Sequence, residues 1–281
     1  MAQPGAAAGP VPGDGAPAGK PGAGRVPALT APDEELVITT DDGLQLRGWW
    51  WRSPSPARGA VVVAHGFAAS TEDGDVMALA ADLRRAGLDV LAYDSRGHGR
   101  SEGRCTVGDR ERLDVAAASA ASSAAAGRPV VLLGVSMGAI ATLGYAATRR
   151  RGDGGPPIAG VVLVSAPARW RMSPSPVSLA MVAMTRTRPG RWFMARAVRV
   201  RVQRDWSLTA PPLTLVGRGA LPMAFVHGAR DRLIHPRDAR LLYGRAQEPR
   251  WLDIVPDMGH GLDQPGRRAA VRAVEWVLRN S

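Results

Sequence analysis

Pro129-Val130-Val131-Leu132-Leu133-Gly134-Val135-Ser136-Met137-Gly138 runs from a continuous apolar stretch into a Gly-x-Ser-x-Gly pentapeptide. Ala139-Ile140-Ala141-Thr142-Leu143-Gly144 follows at once. The pattern predicts a strand, a sharp turn and a helix, with Ser136 at the apex. A nucleophilic serine needs this arrangement, because the turn holds the hydroxyl clear of the sheet and the strained backbone demands small neighbours. Gly134 and Gly138 stand where a side chain would collide with the turn. The helix start also aims free backbone N–H groups at the space beside the serine, where an oxyanion could develop.

Outward from this stretch, apolar strands alternate with helical segments. Residues 35–40 and 44–51, separated by Asp41-Asp42-Gly43, read as a β-hairpin. Further strands are expected at 60–64, 88–93, 158–164, 221–227 and 251–255. Helices are expected around 76–86, 109–126, 236–244 and 264–278. Fully apolar strands separated by helices imply an α/β fold: a mostly parallel, eight-stranded sheet with helices on both faces. Residues 1–32 are Ala, Gly and Pro with few bulky side chains, so a disordered tail is expected there, ahead of a single domain over 33–281.

The alternation breaks between Ala166 and Ala220. This stretch holds six prolines, four methionines and the aromatic residues Trp170, Trp192, Phe193 and Trp206. It also has ten arginines against one acid, Asp205, and so carries nine of the chain's eleven net positive charges. An insertion of this length between two late strands predicts a cap, or lid, over a functional site. Met181-Val182-Ala183-Met184 and the arginines after it admit two readings of similar weight. One is weak association with an anionic membrane surface; the other is a solvated basic lid coloured by GC-rich coding.

Composition narrows the function class. With 281 residues there is ample chain for a full core. The basic excess is almost all arginine, and no nucleic-acid module accompanies it, so no nucleic-acid partner is expected. A single cysteine, Cys105, excludes an intrachain disulfide framework and reads as a small buried side chain. No stretch is long and apolar enough to span a membrane, and residues 1–27 lack the pattern of a secretory signal, so a cytoplasmic location is expected.

In a parallel sheet, ligands bind at the carboxyl ends of the strands. There the sequence supplies His227-Gly228-Ala229-Arg230-Asp231 and Pro256-Asp257-Met258-Gly259-His260-Gly261. The order Ser136, Asp231, His260 is the one expected when the nucleophile sits on such an elbow. His260 would act as the base and Asp231 would orient its ring. Asp257, three residues from His260, and Asp205 are rival acids; a residue so close to the histidine is poorly placed to grip its far nitrogen. The backbone N–H groups of Met137 and Phe67 are the expected oxyanion donors. His65 and His98 read as loop-ordering residues. Asp94, Arg96 and Ser101 read as one mutually bonded turn. The placing of His227 and His235 gives no metal-ligand spacing, and neither a metal nor a cofactor is expected.

His65-Gly66-Phe67, the run from Asp94 to Ser101, the Ser136 pentapeptide, His227 to Asp231 and Gly259-His260-Gly261 together resemble the α/β-hydrolase superfamily. The likeness is strongest to its bacterial monoacylglycerol-lipase-like and serine-aminopeptidase-like branch, from about residue 35 onward. The resemblance implies a serine esterase or lipase-like hydrolase, acting on small-molecule ester or lipid-like substrates under a cap matching 166–220. Peptidase or amidase action and acyl transfer share the same first step and stay open. So does, with less support, a binding protein built on a hydrolase fold. Relatives that cleave carbon–halogen bonds or epoxides use an aspartate where this chain has Ser136.

Overall fold

The computed structural model describes residues 31–149, 154–170, 176–206, 210–219 and 221–281. The expected disordered tail falls on residues outside this set, apart from Ala31 and Pro32.

Eight strands form one sheet. In chain order they are β1 (Glu34–Thr39), β2 (Gln45–Trp51), β3 (Ala60–Ala64), β4 (Asp89–Tyr93), β5 (Val130–Val135), β6 (Ile158–Val164), β7 (Met223–Gly228) and β8 (Arg250–Val255). Their spatial order is β1-β2-β4-β3-β5-β6-β7-β8. β1 and β2 form the expected hairpin, and β2 runs antiparallel to β4. Every other pairing is parallel.

The helices are α1 (Gly74–Arg85), α2 (Glu111–Ala126), α3 (Met137–Ala146), α4 (Pro176–Arg186), α5 (Arg188–Ala197), α6 (Pro212–Leu215), α7 (Arg237–Arg245) and α8 (Gln264–Arg279). Strand alternation sorts them onto two faces. Val61, Val63, Val131, Leu133, Val162 and Val164 pack with Val76, Leu79 and Leu83 of α1 and with Ala270, Val274 and Val277 of α8. The intervening Ala60, Val62, Val130 and Leu132 pack with Val115 and Ala118 of α2 and Ala141 of α3. On that same face, Leu163 and Phe225 meet α3 and Leu242 of α7. β3 and β5 are buried along their whole length, which explains their unbroken apolar sequences. Each such Val or Leu contributes about 1.5–3 kcal/mol by leaving water.

One expected local cluster is arranged differently. Asp94 does hold its own turn. Its carboxylate accepts from the Thr71 and Arg100 backbone N–H groups, and its carbonyl accepts from Ser101 Oγ at 2.6 Å. Arg96 leaves that group. Its guanidinium bonds Asp114 of α2 at 2.8 Å and Asp42 of the β1–β2 turn at 2.8 and 2.9 Å. Both Arg96 and Asp114 are buried, and an unpaired charge there would be far costlier than a turn contact. Sequence proximity favoured Asp94, but burial requires two carboxylates, and only tertiary structure supplies them.

The segment between β6 and β7 contains α4, α5 and α6, and α4 packs on α5. Beyond α5 the chain returns to the body, where Val202 bridges to Cys105 and Arg201 exchanges backbone hydrogen bonds with Gly97 and Cys105. A Cβ at Gly97, whose φ is +75°, would collide with the Cys105 and Arg201 backbone, so only glycine fits that crossing.

Candidate active site

Ser136 sits between the end of β5 and the start of α3 with φ 52° and ψ −109°, a strained conformation for a residue with a side chain. Its backbone N–H donates to the Val164 carbonyl at 2.9 Å, which ties the turn to β6. The flanking glycines are steric requirements. A Cβ at Gly134 would strike the Gly138 carbonyl and Thr142, and one at Gly138 would overlap the carbonyl of Ala64. The second contact shows how closely α3 begins against the end of β3. That approach brings the His65-Gly66-Phe67 loop alongside Ser136.

β7 and β8 supply the partners. Ala229 donates to Val255 and Arg230 to Met258, stitching the two loops together. A Cβ at Gly228 would overlap the Met258 and Gly259 carbonyls, so that glycine permits the approach. As a result His260 Nδ1 lies 2.8 Å from Asp231 Oδ2, and His260 Nε2 lies 3.1 Å from Ser136 Oγ. With its proton on Nδ1, the ring donates to Asp231 and presents a bare Nε2 to the serine hydroxyl.

Asp231 is saturated. Oδ1 accepts the N–H groups of Leu233 and Ile234, at 2.9 and 2.8 Å. Oδ2 faces His260 Nδ1 and lies 3.3 Å from His227 Nε2, which also meets the Ile234 carbonyl at 2.9 Å. Burial would raise its carboxyl. The hydrogen bonds from His227 and His260, with the charge on His260, instead hold it well below the usual carboxylate range. Asp231 is therefore ionised at neutral pH.

The rival acids lie elsewhere. Asp257 pairs with Arg230 at 2.7 Å on the exposed surface, and Asp205 neighbours Arg204. Cys105 is buried, which pushes its thiol up and leaves it unreactive. The N–H groups of Met137 and Phe67 have no acceptor among the described residues, as donors to an oxyanion would require.

His65 and His98 order the adjoining loop. His65 Nε2 accepts the Ser95 N–H at 2.9 Å, its Nδ1 meets the Gly66 carbonyl, and its ring stands edge-on to His98. Burial first, then the neighbouring His65, holds His98 down to about 3, against an ordinary value of 6.5. Because the folded-state value is the lower one, the unfolded chain binds the extra proton. Stability should be full above pH 6.5 and be lost as pH falls toward 3, by about 3 kcal/mol at pH 4 from this residue. A series of urea titrations between pH 7 and 4 should show this slope, and His98→Phe should flatten it. An unchanged slope would count against the assignment.

The Ser136 hydroxyl opens onto a cavity of about 860 Å³. Phe67, Val107, Met137, Ile140 and Leu262 come from the body, and Met181, Val182, Thr185 and Arg186 come from α4. Sequence reasoning treated the methionines and tryptophans of 166–220 as packing first. Met194 does pack, whereas Met181 and Trp206 line the cavity. It also missed His227 as the second partner of Asp231; the four-residue spacing from His227 to Asp231 was the only signal available.

The comparisons agree with this fold. A 261-residue match at 28% identity, covering 81% of this chain and 91% of the relative, is to a monoacylglycerol lipase of Mycolicibacterium smegmatis. A Mycobacterium tuberculosis protein is 28% identical over 254 residues, 85% of this chain and 78% of the relative. Among solved structures, esterase Pf2001 of Pyrococcus furiosus superposes with a TM-score of 0.63 at 22% identity, covering 88% of both chains. The esterase domain of a Rhodothermus marinus protein superposes with 0.62 at 20% identity, covering 88% of this chain and 98% of that one. The family model for serine aminopeptidase, S33, matches residues 55–207, more than half of the sequence. With that match on an eight-stranded sheet, the chain belongs to the serine aminopeptidase S33 family of α/β hydrolases.

Proposed function

We propose that this protein is a serine hydrolase that cleaves carboxylic esters through an acyl-enzyme on Ser136. The observation that carries the reading is the continuous chain from Asp231 Oδ2 through His260 to Ser136 Oγ, ending at an apolar cavity. His260 Nε2 takes the serine proton as Oγ bonds to the ester carbonyl carbon. The carbonyl oxygen becomes an oxyanion facing the N–H groups of Met137 and Phe67. The imidazolium, stabilised by Asp231, gives its proton to the departing alkoxide as the ester C–O bond breaks. Water then gives a proton to His260 as its oxygen bonds to the acyl carbon; the acyl–Oγ bond breaks, the acid leaves, and Ser136 Oγ takes the proton back from His260. The names of the M. smegmatis lipase and the solved esterases favour an ester over an amide.

Residues 166–220 act in this reading as the lid. α4 supplies part of the cavity wall, and the size and apolar lining suit a mid-length acyl chain. Each methylene buried contributes about 0.8 kcal/mol, so kcat/KM for p-nitrophenyl esters should rise up to about fourfold per added carbon until the cavity is filled. A flat series from acetyl to dodecanoyl would remove the acyl-chain reading of the cavity, and no turnover at all would remove the ester reading.

The outer surface of the lid favours one further element. Leu179, Val177 and Trp192 are 72%, 63% and 64% exposed, near Arg188, Arg191 and Arg196 in sequence. An apolar surface framed by arginines suits an anionic membrane. The protein should sediment with vesicles containing anionic lipid, and salt should release it. Binding that is absent or indifferent to salt would refute this element. Among the described residues, no helix is long and apolar enough to cross a membrane.

A further inference from the structure

The cavity before Ser136 carries a charge that ester hydrolysis does not need. Four charged side chains line it: Asp73, Asp75, Arg169 and Arg186. The acids are engaged. Asp75 pairs with Arg267 at 2.8 Å, and Asp73 accepts the Ser70 backbone N–H at 2.8 Å. The arginines are not: neither Arg169 nor Arg186 has a carboxylate partner among the described residues. Arg186 instead places its guanidinium 3.8 Å from the centre of the Trp206 ring, which also lines the cavity. Stacking of this kind holds a cation in place without neutralising it.

Trp206 supplies the second observation. Its indole Nε1 is buried and donates to no acceptor among the described residues. Leaving a buried donor unpaired costs about 1–3 kcal/mol, a defect that folded proteins seldom keep without a reason. An uncompensated guanidinium against an unsatisfied N–H, in one cavity wall, is a receptor for an acceptor-rich anion. Arginine suits such a group because its planar fork matches a carboxylate or a phosphate.

We propose that the substrate is an amphiphilic ester bearing an anionic group, carboxylate or phosphate, that is received by Arg169, Arg186 and the indole N–H of Trp206. The inference rests on the reading of this cavity as the substrate site, and it deepens that reading. The apolar wall takes the acyl chain, and the anion sits at the partly open side beside the end of α4. Both arginines are exposed, so water and salt screen the attraction and its contribution is moderate.

Two matched pairs test it. p-Nitrophenyl octanoate against the p-nitrophenyl monoester of suberic acid differs by a terminal carboxylate. Monolauroylglycerol against lauroyl lysophosphatidate differs by a phosphate. The wild-type protein should favour the anionic member of at least one pair by about tenfold in kcat/KM, expressed mainly in KM. The pair with the larger ratio identifies the anion. The ratio should shrink in high salt and in Arg169→Gln and Arg186→Gln, and Arg186→Lys should restore part of it. Equal or inverted preference in both pairs overturns the proposal, as does a preference that survives in the double glutamine variant. Calorimetric binding of the same four amphiphiles to Ser136→Ala protein reads the preference without turnover. Absence of hydrolysis in wild type would then overturn the esterase reading, while a retained binding preference would still uphold the anion site.

Discussion

Ser136→Ala should lower ester turnover by a factor on the order of 10⁵ and abolish labelling by a fluorophosphonate probe. The size follows from what is lost. Without Oγ there is no atom to form the acyl-enzyme, and His260 Nε2, now 3.1 Å from nothing, has no proton to move. The backbone donors at Met137 and Phe67 and the apolar cavity remain, so a small residual rate through direct attack by water is expected. The fold should survive. Alanine keeps the Cβ that Ser136 already carries at φ 52°, and the N–H bond to Val164 does not involve the hydroxyl. Equal melting temperatures with lost labelling would therefore isolate the chemistry. A variant that labels as well as wild type would place the nucleophile elsewhere.

Asp231→Asn should cost on the order of 10⁴ in kcat while Asp257→Asn leaves it unchanged. Two backbone N–H groups, from Leu233 and Ile234, point at Oδ1. They would hold the amide oxygen of the asparagine on that side and turn its NH₂ toward His260 and His227. Donor would then face donor across a 2.8 Å gap, and His260 would rotate its proton to Nε2, where it blocks the serine. The loss should fall on kcat with little change in KM, because Asp231 touches no part of the cavity wall. If Asp257→Asn were instead the damaging change, Asp231 would not be the residue that orients His260.

Much of the architecture was legible because its determinants are local. β3 and β5 are apolar at every position, which only a strand covered on both faces tolerates, and the glycines at 134 and 138 stand at fixed offsets from Ser136. Asp231 and His260 were found because strand ends in a parallel sheet all deliver their loops to one edge. What escaped depends on contacts far apart in sequence. Arg96 finds Asp42 and Asp114, respectively 54 and 18 residues away, and no spacing rule links them. Trp206 and Arg186 meet although one lies in the loop beyond α5 and the other at the end of α4. An aromatic residue in such a segment has the same sequence signature whether it faces a cavity or a core.

The Gly97 crossing has a consequence of its own. The returning end of the segment between β6 and β7 is fastened there to the loop after β4 by backbone hydrogen bonds, whereas α4 and α5 lean mainly on each other. Motion of the helix pair would then be that of a flap sewn along one hem, with its free side over the serine. Replacing the flap would redirect which molecules enter while the hem, the sheet and the proton path stay as they are. One scaffold of this kind can thus diversify its diet through a few dozen residues without retuning its chemistry.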